Sequence, residues 1–292
     1  LRAFGILLVA GGALWLPVRH VERDLRLRDG FLMVALFWTV LSVCGALPFL
    51  LGDLPHAGFT DAVGVRDGRR VTYVGSVRPR HVVIDLDVLQ AAPARLNRAG
   101  IGDILSCHTG LADWRAAVDR GADTVPWRED LATLGRQLLT ELDAAAEDVH
   151  ATSVDGIRFL LSAYQRIGAA CAQAGHSRFE EGSEHFLAYA YEYRTGITFV
   201  HGEVISLGVV AMSALQHNDP DWARSIVTRA GVSAHPHLLG IEHGTFVTVM
   251  TGLSSFCRAE GLDPSVVDVT PIDATAAERL WDVITALPRS AG

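Results

Sequence analysis

Residues 129–149, EDLATLGRQLLTELDAAAEDV, place Leu131, Leu134, Leu138, Leu139 and Leu142 at helical spacing, one apolar stripe on an otherwise polar stretch. Asp155 to Ala174 repeats the pattern with Ile157, Leu160, Leu161, Tyr164, Ile167 and Cys171, and Gly175 supplies a stop. Towards the C-terminus the same reading predicts helices at Glu203–His217, Gly240–Glu260 and Thr275–Leu287. Beyond Ala92 almost the whole chain reads as helix, so the expected fold class is mainly α. Towards the N-terminus the texture changes. Residues 81–89, HVVIDLDVL, form a β-branched run ending in acidic residues and read as a buried strand. Before them GVRDGRRVTYVG (64–75) carries the turn Asp67-Gly68 between two short runs, which predicts a hairpin. Short β elements are therefore expected near 65–87.

The first 63 residues differ again. Ala3–Val18 and the 21-residue run Phe31–Leu51 carry no charge, and the second is long enough to cross a bilayer as a helix. Together they predict a two-helix apolar hairpin over 1–63, with membrane association through 1–51. A cleavable leader is another reading of the first run, and two buried helices of a core are a third. Arg19, Arg23, Arg26 and Arg28 lie between the runs, so a membrane hairpin would keep that loop on the cytoplasmic side. The expected organisation is 1–63 hairpin, 64–91 short β hairpin and strand, and 92–292 an all-helical domain.

Composition narrows the function. Hydrophobic residues make up 49% of the 292 positions and the mean hydropathy is +0.25. The net charge of −8 leaves no basic face for phosphate backbones, which argues against a nucleic-acid partner. Four cysteines, Cys44, Cys107, Cys171 and Cys257, show no CxxC pairing and suit a reducing compartment, so a cytoplasmic location is expected for the helical domain.

Three motifs carry candidate chemistry: RLNRAGIGDILS (95–106) around Asp103, EEGSEHFLAYAYE (180–192) around His185, and HGEVISLG (201–208) from His201. A catalytic divalent metal wants about three protein ligands and an open position, built from imidazole nitrogen and carboxylate oxygen. Asp103, His185 and His201 meet that count. Gly182 and Gly202 beside the histidines allow close backbone turns, and Glu203 is a candidate to orient its neighbour from behind. The competing readings are ordinary ones: a helix-capping Asp and surface histidines. Cys107, one turn after Asp103, is either a packed thiol or a fourth ligand, and His108 reads as a surface or interface residue.

In this order the motifs AAPARLNRAGIGDILS…ADW, GSEH and HGE are similar to the iron-containing alcohol dehydrogenase superfamily, nearest its glycerol-1-phosphate and glycerol dehydrogenase branch. The resemblance runs from about Arg66 to the C-terminus. It implies the helical metal domain of the dehydroquinate-synthase-like fold, with Zn2+ or Fe2+ held by Asp103, His185 and His201. It also implies NAD(P), a small polyol or polyol-phosphate substrate, and self-association as a homo-oligomer. The metal would polarise the substrate hydroxyl for hydride transfer. Tyr189 stands where the family usually has a second histidine, and no G-x-G-x-x-G or Gly-Gly-Gly run occurs in the chain, so the nucleotide cradle is not legible. LPVRHVERDLRLRDGFLMVALFWTVLSVCGALPFLLGDLPHAGFTDAV (16–63) resembles the N-terminus of a Trk-type potassium-uptake transporter subunit, without its pore loop. A non-catalytic, membrane-anchored metal module, or a fusion of unrelated pieces, is the alternative. A dehydroquinate-synthase-like cyclase is a third reading.

Overall fold

The structure, a computed structural model, describes Leu16, the backbone of residues 63–67 and 70–74, and residues 83–289. By its internal contacts the chain divides into two units, Leu1–Val65 with Tyr73–Pro79, and Arg66–Thr72 with Arg80–Gly292. Strands β1 (Val63–Asp67) and β2 (Arg70–Val74) pair as a two-stranded sheet, at the place where the sequence predicts a hairpin.

The strand expected over 81–87 does not form within the described residues. Val83–Asp85 is irregular and helix α1 (Leu86–Ala91) begins immediately after it. The reason is local. The Asp85 carboxylate accepts from the Asp87 and Val88 amides, a cap that nucleates a helix. Val83 is 93% exposed and Ile84 36%, so the described part of the run is not buried.

The second unit is otherwise helical. Helices α2 (Ala94–Ala99), α3 (Gly102–Leu105) and α4 (Cys107–Asp119) follow in quick succession. Then come the long pair α5 (Glu129–His150) and α6 (Val154–Ala174), joined by three residues and packed along each other. Ser153 caps α6 by accepting from the Gly156 amide, and Gly175 ends it in the left-handed conformation at φ 76°. Leu131, Leu138, Leu142, Ile157, Leu160 and Ile167 of the two predicted stripes are buried.

Helices α7 (Ser183–Thr195), α8 (His201–Gln216), α9 (Pro220–Arg229), α10 (His243–Glu260) and α11 (Ala274–Thr285) complete the unit. The axis of the arrangement is α8. Its sequence from Val204 to Met212 is apolar on every face, and such a helix has to be surrounded. It is: α3, α4, α7, α9 and α11 all pack on it, and Gly202–Ser213 is buried throughout. The two serines within that stretch are satisfied inside the helix, Ser206 donating to the Gly202 carbonyl at 2.7 Å and Ser213 to that of Val210 at 3.1 Å.

Among the described residues no helix is long and apolar enough to cross a membrane. The apolar hairpin expected over 1–63 lies, apart from Leu16 and the backbone of Val63, outside the described residues and finds no support in the structure.

Candidate metal centre

Asp103 sits in the first turn of α3, His185 in the first turn of α7, and His201 is the first residue of α8. Glycine brings these helix starts together. A Cβ on Gly102 would lie 2.5 Å from the Gly202 Cα, and one on Gly202 would lie 1.8 Å from the Ala99 carbonyl oxygen. The G-x-G-D and H-G sequences are thus two halves of one backbone-to-backbone crossing that sets Asp103 beside His201.

The three side chains converge. One ligand atom from each of Asp103, His185 and His201 lies within 4.8 Å of the others, and among the described residues no other group of three His, Cys, Asp or Glu side chains does this. The Nε2 atoms of His201 and His185 are 3.1 and 3.6 Å from Asp103 Oδ1. That oxygen is buried and accepts no hydrogen bond. Burial alone would raise the Asp103 pKa, but the two imidazoles beside it carry it far below the usual carboxylate range. The Tyr164 hydroxyl donates to Oδ2 at 3.3 Å, leaving Oδ1 to face the histidines. A buried carboxylate oxygen without a donor, flanked by two imidazole nitrogens, could hold a divalent ion as a three-ligand site.

Exposure is graded across the site. The His185 side chain is 5% exposed, Asp103 24% and His201 48%, so among the described residues the site is most open at His201.

Behind His185 lies a built-up polar layer. Its Nδ1 is 2.8 Å from Glu184 Oε1. Glu184 is fully buried and accepts in addition from the Gly182 amide at 2.6 Å and the Thr109 hydroxyl at 2.6 Å. Burial would depress the His185 pKa, yet Asp103 and Glu184 on its two nitrogens hold it well above the ordinary imidazole value. Asp113, from the motif ADW, fixes the start of α7 by accepting from the Ser183 amide at 2.8 Å and the Val266 amide at 2.7 Å. Burial, with Glu184 nearby, lifts its pKa to about 6.

Of the neighbours, Glu203 departs from its sequence reading, while Cys107 follows the packed-thiol one. Glu203 does not orient His201; both of its oxygens are held by Arg95, at 2.5 and 2.6 Å. Cys107 is fully buried in the core and stands outside the convergent group, and burial pushes its thiol pKa well up. His108 is not a free surface residue, since its Nε2 bonds the Asn218 carbonyl at 2.6 Å and its ring packs 4.8 Å from that of Trp222. Tyr189 donates to Glu181 Oε1 at 2.7 Å, with its ring 6.1 Å from that of His185. Sequence reasoning passed over Tyr164, Thr109 and Glu184. Glu184 lay within the quoted GSEH motif, whereas Tyr164 was read as part of a core stripe.

No protein-family model matches the chain. It is similar to glycerol-1-phosphate dehydrogenase (NAD(P)+) of Aeropyrum pernix, 30% identical over 173 residues, covering 59% of this chain and 49% of that protein. The enzyme of the same name from Hyperthermus butylicus is 30% identical over 179 residues, 61% of this chain and 50% of its own length. That of Methanococcoides burtonii is 28% identical over 244 residues, 82% and 67% of the two chains. The chain spans about half the length of the first two of these relatives. The resemblance of residues 16–63 to a Trk-type subunit finds no support among these proteins. Over its matched length, this chain has glycerol-1-phosphate dehydrogenases as its relatives.

Proposed function

We propose that this chain carries the metal-binding part of an NAD(P)-dependent polyol dehydrogenase of the glycerol-1-phosphate type, holding one zinc or ferrous ion on Asp103, His185 and His201. In this reading residues 92–292 are an all-helical metal domain of the dehydroquinate-synthase-like, iron alcohol dehydrogenase kind. The observation that carries it is the buried Asp103 Oδ1, which lacks a hydrogen-bond donor and faces two imidazole Nε2 atoms. The names of the relatives favour a dehydrogenase over a cyclase.

A divalent ion bound there supplies Lewis-acid polarisation of a substrate hydroxyl. The protein's own residues do the rest. Tyr164 holds Asp103 by Oδ2, and the Gly102–Gly202 crossing sets its distance from His201. Buried His185 forms the closed wall, and half-exposed His201 forms the rim past which a small polyol or polyol phosphate enters. The nicotinamide remains an expectation from the relatives' names, because the chain has no Gly-rich phosphate turn.

Elemental analysis of the purified 292-residue chain tests the reading. We expect about one zinc or iron per chain, lost in His185→Ala and His201→Ala, with affinity falling in acid as the ligands protonate. Unchanged metal content in both variants would sink the assignment.

A further inference from the structure

We propose that Glu184 is the positioning residue for His185: it keeps the ring proton on Nδ1 and so leaves the Nε2 lone pair for the metal. The inference rests on the metal reading above and deepens it.

Neighbouring residues on a helix do not normally face each other, yet Glu184 Oε1 reaches Nδ1 of the next residue at 2.8 Å. The contact is possible because the pair lies in the first turn of α7, where Gly182 as N-cap has an open conformation, φ −148° and ψ −149°. Glu184 is held from every side. The Gly182 amide donates to Oε1 and the Thr109 hydroxyl to Oε2. Its backbone is pressed against α8 at Gly208, where an added Cβ would lie 2.8 Å from the Glu184 carbonyl oxygen. A Cβ at Gly182 would lie 3.1 Å from Oε2. Gly182 thus makes room for this carboxylate and Gly208 for the backbone that carries it, and the carboxylate is fully buried.

Both Glu184 oxygens already accept, Oε1 from the Gly182 amide and Oε2 from the Thr109 hydroxyl, so the carboxylate acts as an acceptor and the proton between it and the imidazole belongs to Nδ1. With Nδ1 engaged by Glu184, Nε2, which lies 3.6 Å from Asp103 Oδ1, is the nitrogen whose proton a metal would displace and whose lone pair it would take. Metal-ligating histidines held this way have a fixed tautomer and ring angle, and loss of the supporting group typically lowers metal affinity about 10- to 100-fold.

Two substitutions separate the acceptor from the charge. In Glu184→Gln the amide oxygen can take the Oε1 place. Its NH2 then meets Thr109, whose hydroxyl already lies 3.3 Å from the Ser106 carbonyl and can turn to it. Glu184→Ala removes the acceptor. The full chain, labelled with 15N-histidine and loaded with zinc, is read by long-range 1H–15N correlation, and zinc affinity by competition with a chromophoric chelator. In the wild type we expect a proton on His185 Nδ1 and zinc on Nε2. Glu184→Gln should keep that pattern and lose less than about tenfold in affinity, and Glu184→Ala should lose about 10- to 100-fold with Nδ1 no longer uniformly protonated. An unchanged spectrum and affinity in Glu184→Ala overturn the proposal. Should that variant not fold, zinc on Nδ1 in the wild type, or loss of the Nδ1 proton in Glu184→Gln, overturns it equally. Failure of the wild-type chain to bind zinc at all overturns the underlying metal reading, and the proposal with it.

Discussion

Replacing Gly202 by alanine tests whether the backbone crossing, rather than the ligands alone, makes the site. The new Cβ would lie 1.8 Å from the Ala99 carbonyl oxygen, about 1.6 Å inside the 3.4 Å of an ordinary contact. Both partners are backbone, so no side chain can rotate away. The start of α8 has to shift from α2 and α3. Overpacking of a well-filled interior costs about 1–3 kcal/mol, and this clash belongs at or above the top of that range. The gain of roughly 0.5–1 kcal/mol from removing a helical glycine offsets only part of it. The shift also moves His201 from Asp103, now 3.1 Å apart, and metal–ligand distances tolerate only about 0.2 Å. We therefore expect Gly202→Ala to lose about 3 kcal/mol of stability and at least about tenfold in zinc affinity. Urea unfolding and chelator competition measure the two effects. Gly252→Ala is the control. That glycine lies within α10 with nothing near its Cβ position, so alanine there should stabilise by about 0.5–1 kcal/mol. A Gly202→Ala protein matching the wild type in both measurements would refute the argument.

Arg178 and Asp123, each 1% exposed by side chain and paired at 2.6 Å, form a buried ion pair; Arg178→Met should cost about 3–5 kcal/mol, and the double variant with Asp123→Leu distinctly less, by chemical denaturation. Asp113, at about 6 in the folded state against 3.8 unfolded, favours the protonated form on folding. Its contribution to stability is thus greatest below about pH 4 and declines by about 3 kcal/mol as pH rises through 6, so the wild type should lose stability across that window more steeply than Asp113→Asn does in urea titrations at several pH values. NADH should bind this chain far more weakly than it binds the glycerol-1-phosphate dehydrogenases that the chain resembles; micromolar binding by calorimetry would reveal a cradle not legible in the sequence.

Helical periodicity was enough to place α5, α6, α8, α10 and α11 to within three residues at either end, because each buries a stripe that recurs at 3.6-residue spacing or carries its own stop signal. The run at 81–89 shows where that kind of reading fails. Its β-branched residues suggested a strand, but the pattern says nothing of whether a partner exists, and the Asp85 cap decides the outcome instead. The candidate ligands were legible as residue types in short motifs, and their convergence follows from long-range packing at Gly102 and Gly202 that no local pattern encodes. The same holds for Glu203. Its place beside His201 suggested a supporting role, whereas the fold brings Arg95, distant in sequence, to both of its oxygens.

The all-round burial of α8 has a consequence for how the site comes into being. An isolated segment of this composition has no polar face to leave in water, and a helix of 16 residues is marginal on its own. It becomes stable only when its neighbours enclose it, so α8 is placed last or together with them. His201 is its first residue, and α3 and α7, which bring Asp103 and His185, are among the helices that enclose it. A partly folded chain therefore has fragments of the donor set and no site. If the site takes the proposed ion, loading waits on the closing of the core, and local opening at the rim cannot release α8 without loosening the whole bundle.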